Sequence, residues 1–218
     1  MFIGHYALGL AAKRLVPRTS LGTLIAAPTL ADLLWPAFLL LGWERVTKVG
    51  GSNPFLHLRF DSYPISHSLL TLLGWGLLCA VLYRIQTGFA RGALVVGLLV
   101  VSHWVLDYVV HIPDLPLYPG GPKVGLGLWN SPLTTIVVEA IMSLVGIALY
   151  LGTTRARDRV GRYGLAGFLG LLGLSYVAAL FTPPPANLRA LAIGGLVFGW
   201  LFVGIAGWVD GHREPVAG

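Results

Sequence analysis

The chain is poor in the residues that build soluble enzymes. Only 11% of its 218 residues are charged, and only nine are acidic, against about 25% charged in a soluble domain. It has a single cysteine, Cys79, inside an apolar run. That excludes a disulfide within the chain and any zinc site built from thiolates. Uncharged stretches long enough to cross a bilayer are abundant instead: 56% of the residues are hydrophobic and the mean hydropathy is +0.76. The apolar runs are too long for barrel strands. The expected fold is therefore all-α, a polytopic transmembrane helix bundle of six to seven membrane helices, as a single domain over residues 1–218. The formal charge of +6 does not indicate nucleic-acid binding, because the basic residues lie at the ends of the apolar runs. Met1-Phe2-Ile3-Gly4-His5 has no charged n-region, so a signal peptide is not expected.

The apolar runs divide the chain. Phe2–Val16 is a short helix of marginal spanning length, ending near Lys13-Arg14. Ser20 is the expected N-cap of a helix over Leu21–Leu41, which contains Pro28 and Asp32. A polar, aromatic loop, Gly42–Pro64, leads to a span over Ser66–Tyr83 that begins Ser66-His67-Ser68. A basic turn, Arg84–Arg91, precedes Gly92–His111. A Pro/Gly-rich loop, Ile112–Asn130, follows. Ser131-Pro132 should cap the next span, to Leu151, which carries Glu139. Thr153–Arg162 is basic. Tyr163–Phe181 has a ladder of Gly164, Gly167, Gly170 and Gly173 that suggests helix packing. Thr182-Pro183-Pro184-Pro185 is a rigid turn before the last span, Leu188–Val209, and Asp210–Gly218 reads as a frayed tail. Helices within 1–111 and 131–151 carry the candidate site, and those within 163–209 are packing helices.

If the faces alternate, one side of the membrane holds Lys13, Arg14, Arg18, Arg84, Arg91, Arg155, Arg157, Arg159, Arg162 and Arg213. The other holds Arg45, Lys48, Arg59, Lys123 and Arg189. The positive-inside rule then puts the C-terminus in the cytoplasm and the loops 42–65 and 112–130 outside. Trp35, Trp43, Trp75 and Trp129 read as interfacial belt residues.

Polar residues inside these runs share a depth. At 1.5 Å per helical residue, His5 lies about 14 Å from Arg14, Asp32 about 18 Å from Ser20, and His103 about 18 Å from Arg91. Glu139 lies about 18 Å from Leu151, Asp107 about 24 Å from Arg91 and His67 about 26 Å from Arg84. His103, Asp107 and His111 are spaced i, i+4, i+8 and so share one helix face. Ionisable residues at such depth are costly and mark a functional site by default. Imidazole and carboxylate donors suit a divalent metal: zinc first, with manganese or iron(II) as alternatives. Asp32, His67, His103 and Asp107 are the principal candidate ligands, with His5 and His111 beside them. A metal so held activates water, which points to hydrolysis. Glu139 and Asp61 are the candidate catalytic acids or bases.

Four segments resemble the bacterial inner-membrane metal-dependent hydrolase family: Gly4-His5-Tyr6-Ala7-Leu8-Gly9, Ala27-Pro28-Thr29-Leu30-Ala31-Asp32, Ile65-Ser66-His67-Ser68-Leu69 and His103-Trp104-Val105-Leu106-Asp107. They stand in the family's order over roughly the first half of the chain. The family usually has two aspartates after Ala-Pro, where this chain has Thr29 in place of the first. Asp61-Ser62-Tyr63-Pro64 stands where the family has His-Arg-Gly. The chain thus resembles a divergent member. A more distant likeness, to helical zinc-dependent phospholipases C and nucleases, implies one zinc held by Asp32, His67, His103 and Asp107. It also implies that His5 serves a neighbouring metal with Asp107 bridging, and that His111 and Glu139 serve another, although Thr135 stands where that last site needs an imidazole.

The sequence therefore leads to an expected function: a membrane hydrolase acting on an ester or phosphodiester of a membrane lipid or lipid-like substrate. Arg59 or Lys123 would meet an anionic headgroup. The alternatives are a proton- or metal-ion-linked transporter and a non-catalytic scaffold whose polar cluster is structural. The sequence does not address oligomeric state.

Overall fold

The computed structural model describes residues 1–216. It is an all-α integral membrane protein. Five helices are long and apolar enough to cross a membrane, with mean hydropathy of 1.5 to 2.0 over their apolar windows. They are α5 (Leu69–Thr87), α6 (Ala90–Val110), α7 (Pro132–Thr153), α8 (Leu165–Phe181, extended backwards by a π turn over Val160–Gly164) and α9 (Leu188–Gly211). Their outward faces keep Leu77, Leu98, Leu133, Leu144 and Leu174 exposed, as lipid-facing surface should be.

The first sixty-odd residues depart from the expected spans. Helix α1 covers only Ile3–Ala12, 10 residues or about 15 Å, half the hydrocarbon thickness. It ends early because Lys13 turns inward: Lys13 is 4% exposed and donates to Asp210 Oδ2 at 2.6 Å and to the Thr19 carbonyl at 2.8 Å. The run Leu21–Leu41 is two helices, α2 (Leu21–Ala26) and α3 (Leu30–Leu40), broken at Pro28. Ser20 caps α2 as expected, its hydroxyl accepting from Thr23 N at 3.2 Å. The run from Ser66 is also interrupted. A short helix, α4 (Pro64–His67), stops at His67 because Ser68 is extended and caps α5 by accepting from Thr71 N. Ser131 does not cap α7; its hydroxyl pairs with Thr134.

The loop Gly42–Pro64 is ordered by an antiparallel hairpin, β1 (Arg45–Lys48) with β2 (Leu58–Ser62). A second short pair, β3 (Leu115–Pro116) with β4 (Lys123–Val124), folds the loop after α6. The C-terminal tail is not frayed through its described part. Asp210 belongs to α9, and β6 (Arg213–Pro215) pairs with β5 (Thr154–Ala156). Ala217 and Gly218 lie outside the described residues.

Helix α1 is central. A Cβ at Gly146 of α7 would fall 2.5 Å from the Ala7 carbonyl, and one at Gly9 would fall 2.6 Å from the Leu24 carbonyl. Helices α5 and α6 approach most closely where Gly76 meets Gly97; a Cβ on Gly76 would fall 2.8 Å from the Gly97 carbonyl. The expected glycine ladder packs only at its start: a Cβ at Gly164 would fall 3.2 Å from Val209 Cγ2, whereas Cβ atoms at Gly167, Gly170 and Gly173 would meet nothing within 4 Å. Two cores result. One gathers Tyr6, Ile25, Tyr150, Phe168 and Phe202; the other gathers Leu24, Tyr63, Leu72, Val100 and Trp104.

These glycines predict opposite outcomes. Gly76→Val should destabilise by about 1–3 kcal/mol, the range for overpacking. Gly173→Ala should be neutral or stabilise by up to about 1 kcal/mol through helix propensity. Thermal unfolding of the detergent-solubilised variants, followed by tryptophan fluorescence, separates the two.

Candidate metal centre

The site begins at the polar end of α6. After thirteen predominantly apolar positions the helix presents His103 and Asp107 one turn apart, then stops at His111, whose N–H still donates to the Asp107 carbonyl at 2.8 Å. Asp107 is 2% exposed and is the hub. Its Oδ2 faces His103 Nε2 at 3.1 Å, His111 Nε2 at 3.5 Å and His67 Nε2 at 4.0 Å. Its Oδ1 faces His5 Nε2 at 3.1 Å and Met1 N at 2.5 Å. Four elements thus bring imidazoles to one carboxylate: α1, α4, α6 and the loop start after α6. Asp32, on the first turn of α3, adds a second carboxylate, with Oδ1 3.5 Å from His67 Nε2. Two groups of possible ligand atoms each lie within 4.8 Å of one another: His5, His103 and Asp107, and Asp32, His67 and His103. His103 belongs to both.

His111 is more central than its place at the end of the run suggests. It is 2% exposed, and its ring lies 4.0 Å from the Trp129 ring and 5.3 Å from Phe60. Trp129, expected in the interfacial belt, is a wall of the site.

The outward-facing ring nitrogens determine what the inner ones can do. His103 Nδ1 lies 2.8 Å from the Pro28 carbonyl, in the break between α2 and α3. A carbonyl only accepts, so this nitrogen carries the proton and Nε2 of the neutral ring carries a lone pair. His111 Nδ1 lies 2.8 Å from Asp114 Oδ1, a carboxylate that also accepts from the Tyr63 hydroxyl at 3.2 Å. His111 Nε2 is thereby also left a lone pair. In their neutral forms the two rings turn lone pairs toward carboxylate oxygens, acceptor against acceptor. His103 Nε2 is fully buried with no hydrogen-bond partner, despite a carboxylate 3.1 Å away. The rings of His5 and His103 stack in parallel, 8° apart with centroids at 4.0 Å. Two charged rings so close would repel. The donor set therefore suits a shared cation: imidazole Nε2 atoms inward, with Nδ1 of His103 and of His111 each held by an acceptor, as at histidine metal ligands generally, whereas His5 Nδ1 is buried with no partner among the described residues.

Other expected participants lie elsewhere. Glu139 is completely buried, but its Oε2 accepts from Gly4 N at 3.1 Å, so it caps the first turn of α1. Its Oε1 has no partner. The hydroxyl of Thr135 donates to the Leu128 and Ser131 carbonyls. Asp61 is not in the site. It sits on the exposed hairpin, where the Thr47 hydroxyl and then Arg59 hold its carboxyl below the usual carboxylate range, the wrong direction for a base working near neutrality. Arg59 is engaged with Asp61, and Lys123 donates to the Phe60 and Asp61 carbonyls. The His57 ring lies 3.2 Å from the Gly51 carbonyl, and His212 pairs with Asp158.

The structure adds residues that motif reading passes over: Asp114, Tyr63, Trp129, Glu44 and Ser66. Asp114 follows His111 by three residues and so had a local signal. Glu44, 2% exposed, lies 22 residues before Ser66 in an irregular segment and had none. Comparison of the chain with family models, curated proteins and solved structures finds no match.

Proposed function

We propose that this protein is a metal-dependent membrane hydrolase. A divalent metal, zinc foremost, would be held by Asp32, His67, His103 and Asp107, with His5 and His111 completing the donor set. The observation that carries this reading is the convergence of buried Nε2 atoms on two carboxylates, with the opposite nitrogens of His103 and His111 committed to outer acceptors. A bound metal of this kind lowers the pKa of its water and supplies a nucleophile near neutral pH. The chain's own residues orient and exclude. The Pro28 carbonyl and Asp114 hold the rings of His103 and His111. Trp129 and Phe60 keep water from one side. Asp32, whose side chain is 49% exposed, leaves the other side open to substrate. The surrounding apolar surface favours a lipid-like ester or phosphodiester. The same proposal includes the kinship with the bacterial inner-membrane hydrolase family, a cytoplasmic C-terminus, and six spans if α2 and α3 together count as one.

The break between α2 and α3 favours a second reading, transport of protons or metal ions, because discontinuous helices mark binding sites in transporters. One experiment separates the two. The detergent-purified protein is analysed for bound metal, assayed with chromogenic carboxylester and phosphodiester substrates, and reconstituted for ion flux. The hydrolase reading expects about one metal per chain and metal-dependent turnover. Metal with flux but no turnover would establish the transporter, and protein that binds no zinc, manganese or iron would overturn both metal readings.

A further inference from the structure

Glu44 is buried although its neighbour Trp43 is 59% exposed. The chain turns it inward just after α3, where the Trp43 and Glu44 N–H groups both reach the Phe38 carbonyl. Its carboxylate meets three donors and nothing else. Oε1 accepts from Ile65 N and Ser66 N, each at 2.8 Å, and Oε2 accepts from the Ser66 hydroxyl at 2.6 Å. No ion pair among the described residues involves it. On its other side, Ser66 Oγ lies 2.6 Å from His67 Nδ1.

With Glu44 as a carboxylate, the proton count in this chain has one solution. A carboxylate only accepts, so the single hydroxyl proton of Ser66 is directed to Glu44. The 2.6 Å separation is that of a charge-assisted O–H···O⁻ bond. Ser66 Oγ can then only accept from His67, which puts the ring proton on Nδ1. The reverse arrangement would press two acceptor oxygens together at 2.6 Å. It would also aim an Nε2–H at Asp32 Oδ1 across 3.5 Å, beyond a good hydrogen bond.

We propose that Glu44 is a positioning residue for the candidate metal centre: acting through Ser66, it locks His67 in the Nδ1–H tautomer and turns the Nε2 lone pair toward Asp32 and Asp107. The inference rests on the metal-centre reading for its purpose, but not for its proton count. It completes a pattern, since His103 uses a carbonyl and His111 a carboxylate for the same end, and His67 uses a carboxylate through a hydroxyl.

Two readouts test it, one of them free of metal. Metal-free, full-length protein labelled with ¹⁵N-histidine is examined in detergent at about pH 8, above the ordinary histidine range, with His67 assigned by its loss in His67→Gln. The expected spectrum has His67 protonated on Nδ1 alone. In Glu44→Gln the amide oxygen must keep the two backbone donors, so the amide NH₂ faces Ser66 and donates to it. Ser66 then donates to His67, and the tautomer switches to Nε2–H. Zinc affinity, measured against a competing chelator, should fall by about 10–100-fold, the usual effect of losing an outer partner of a histidine ligand. Ser66→Thr, which keeps the hydroxyl, should retain the tautomer and the affinity, whereas Ser66→Ala should lose the affinity. Should Glu44→Gln not fold, the Ser66→Thr and Ser66→Ala pair carries the test, and equal affinities in the two overturn the proposal. A wild-type His67 protonated on Nε2 also overturns it, as does a Glu44→Gln protein with unchanged tautomer and affinity. The expected tautomer in a protein that binds no metal would refute the metal centre and leave the relay standing. Metal bound beside an Nε2–H His67 would do the opposite.

Discussion

Asp107→Asn is expected to remove metal binding and turnover together while leaving the fold in place. The carboxylate is 2% exposed and faces His5, His67, His103 and His111. Asparagine keeps the shape and one acceptor but loses the charge that draws a cation into this pocket, and its NH₂ would occupy one of the two inner positions. Replacing an outer partner of a metal ligand costs about 10–100-fold in affinity; losing the hub carboxylate should exceed about a hundredfold. Chelator competition and turnover of the same preparation are the measurements. Asp61→Asn and His57→Ala serve as controls, since neither residue approaches the cluster, and both should match the wild type. An Asp107→Asn protein that binds zinc as tightly as wild type would remove the metal centre from consideration.

Lys13→Met should produce the largest loss of stability. The Lys13 ammonium and the Asp210 carboxylate are 5% and 8% exposed and 2.6 Å apart. Asp210 also accepts from Leu21 N at 2.9 Å and from the Tyr150 hydroxyl at 2.7 Å, so α1, α2, α7 and α9 all meet at this carboxylate. Removing the lysine leaves a buried charge with neutral donors only, and breaking one partner of a buried pair costs about 3–5 kcal/mol. The double variant Lys13→Met, Asp210→Asn should recover part of that loss, because the amide oxygen can keep the Leu21 N donor while the amide NH₂ donates to the Tyr150 hydroxyl, with no charge to bury. Thermal unfolding in detergent provides the comparison; equal melting of Lys13→Met and wild type would show that the pair contributes nothing net.

The parts of the site legible in the sequence were those with a local or one-dimensional signature. The stripe of His103, Asp107 and His111 follows from helix periodicity alone. Asp32, His67 and His5 could be added because membrane depth is a coordinate that can be counted along each run. What could not be counted was direction. Glu139 shares the depth but turns to the backbone of α1. Lys13 looked like a cytoplasmic flank and is instead a buried partner of a residue 197 positions away. The glycines failed for a related reason. Spacing identifies a small-residue face on α8, but not whether protein or lipid lies against it. One close contact that uses glycine, Gly76 with Gly97, has no repeating pattern on either helix. The break at Pro28 was foreseeable from the proline; the use of its carbonyl to orient a histidine on another helix was not.

The pinning of α1 at both ends has a consequence for biogenesis. His5 reaches Asp107 on α6, and Lys13 reaches Asp210 near the end of α9. Helix α1 is made before α6 and α9 and so has its carboxylate partners in segments made after it. Until Asp210 has been translated, Lys13 has no acidic side chain to pair with inside the protein, and a ten-residue helix is too short to anchor itself across the bilayer. Helix α1 is thus a late-docking element despite being an early-synthesised one. The histidine it carries is therefore secured at the cluster only once α9 has been made.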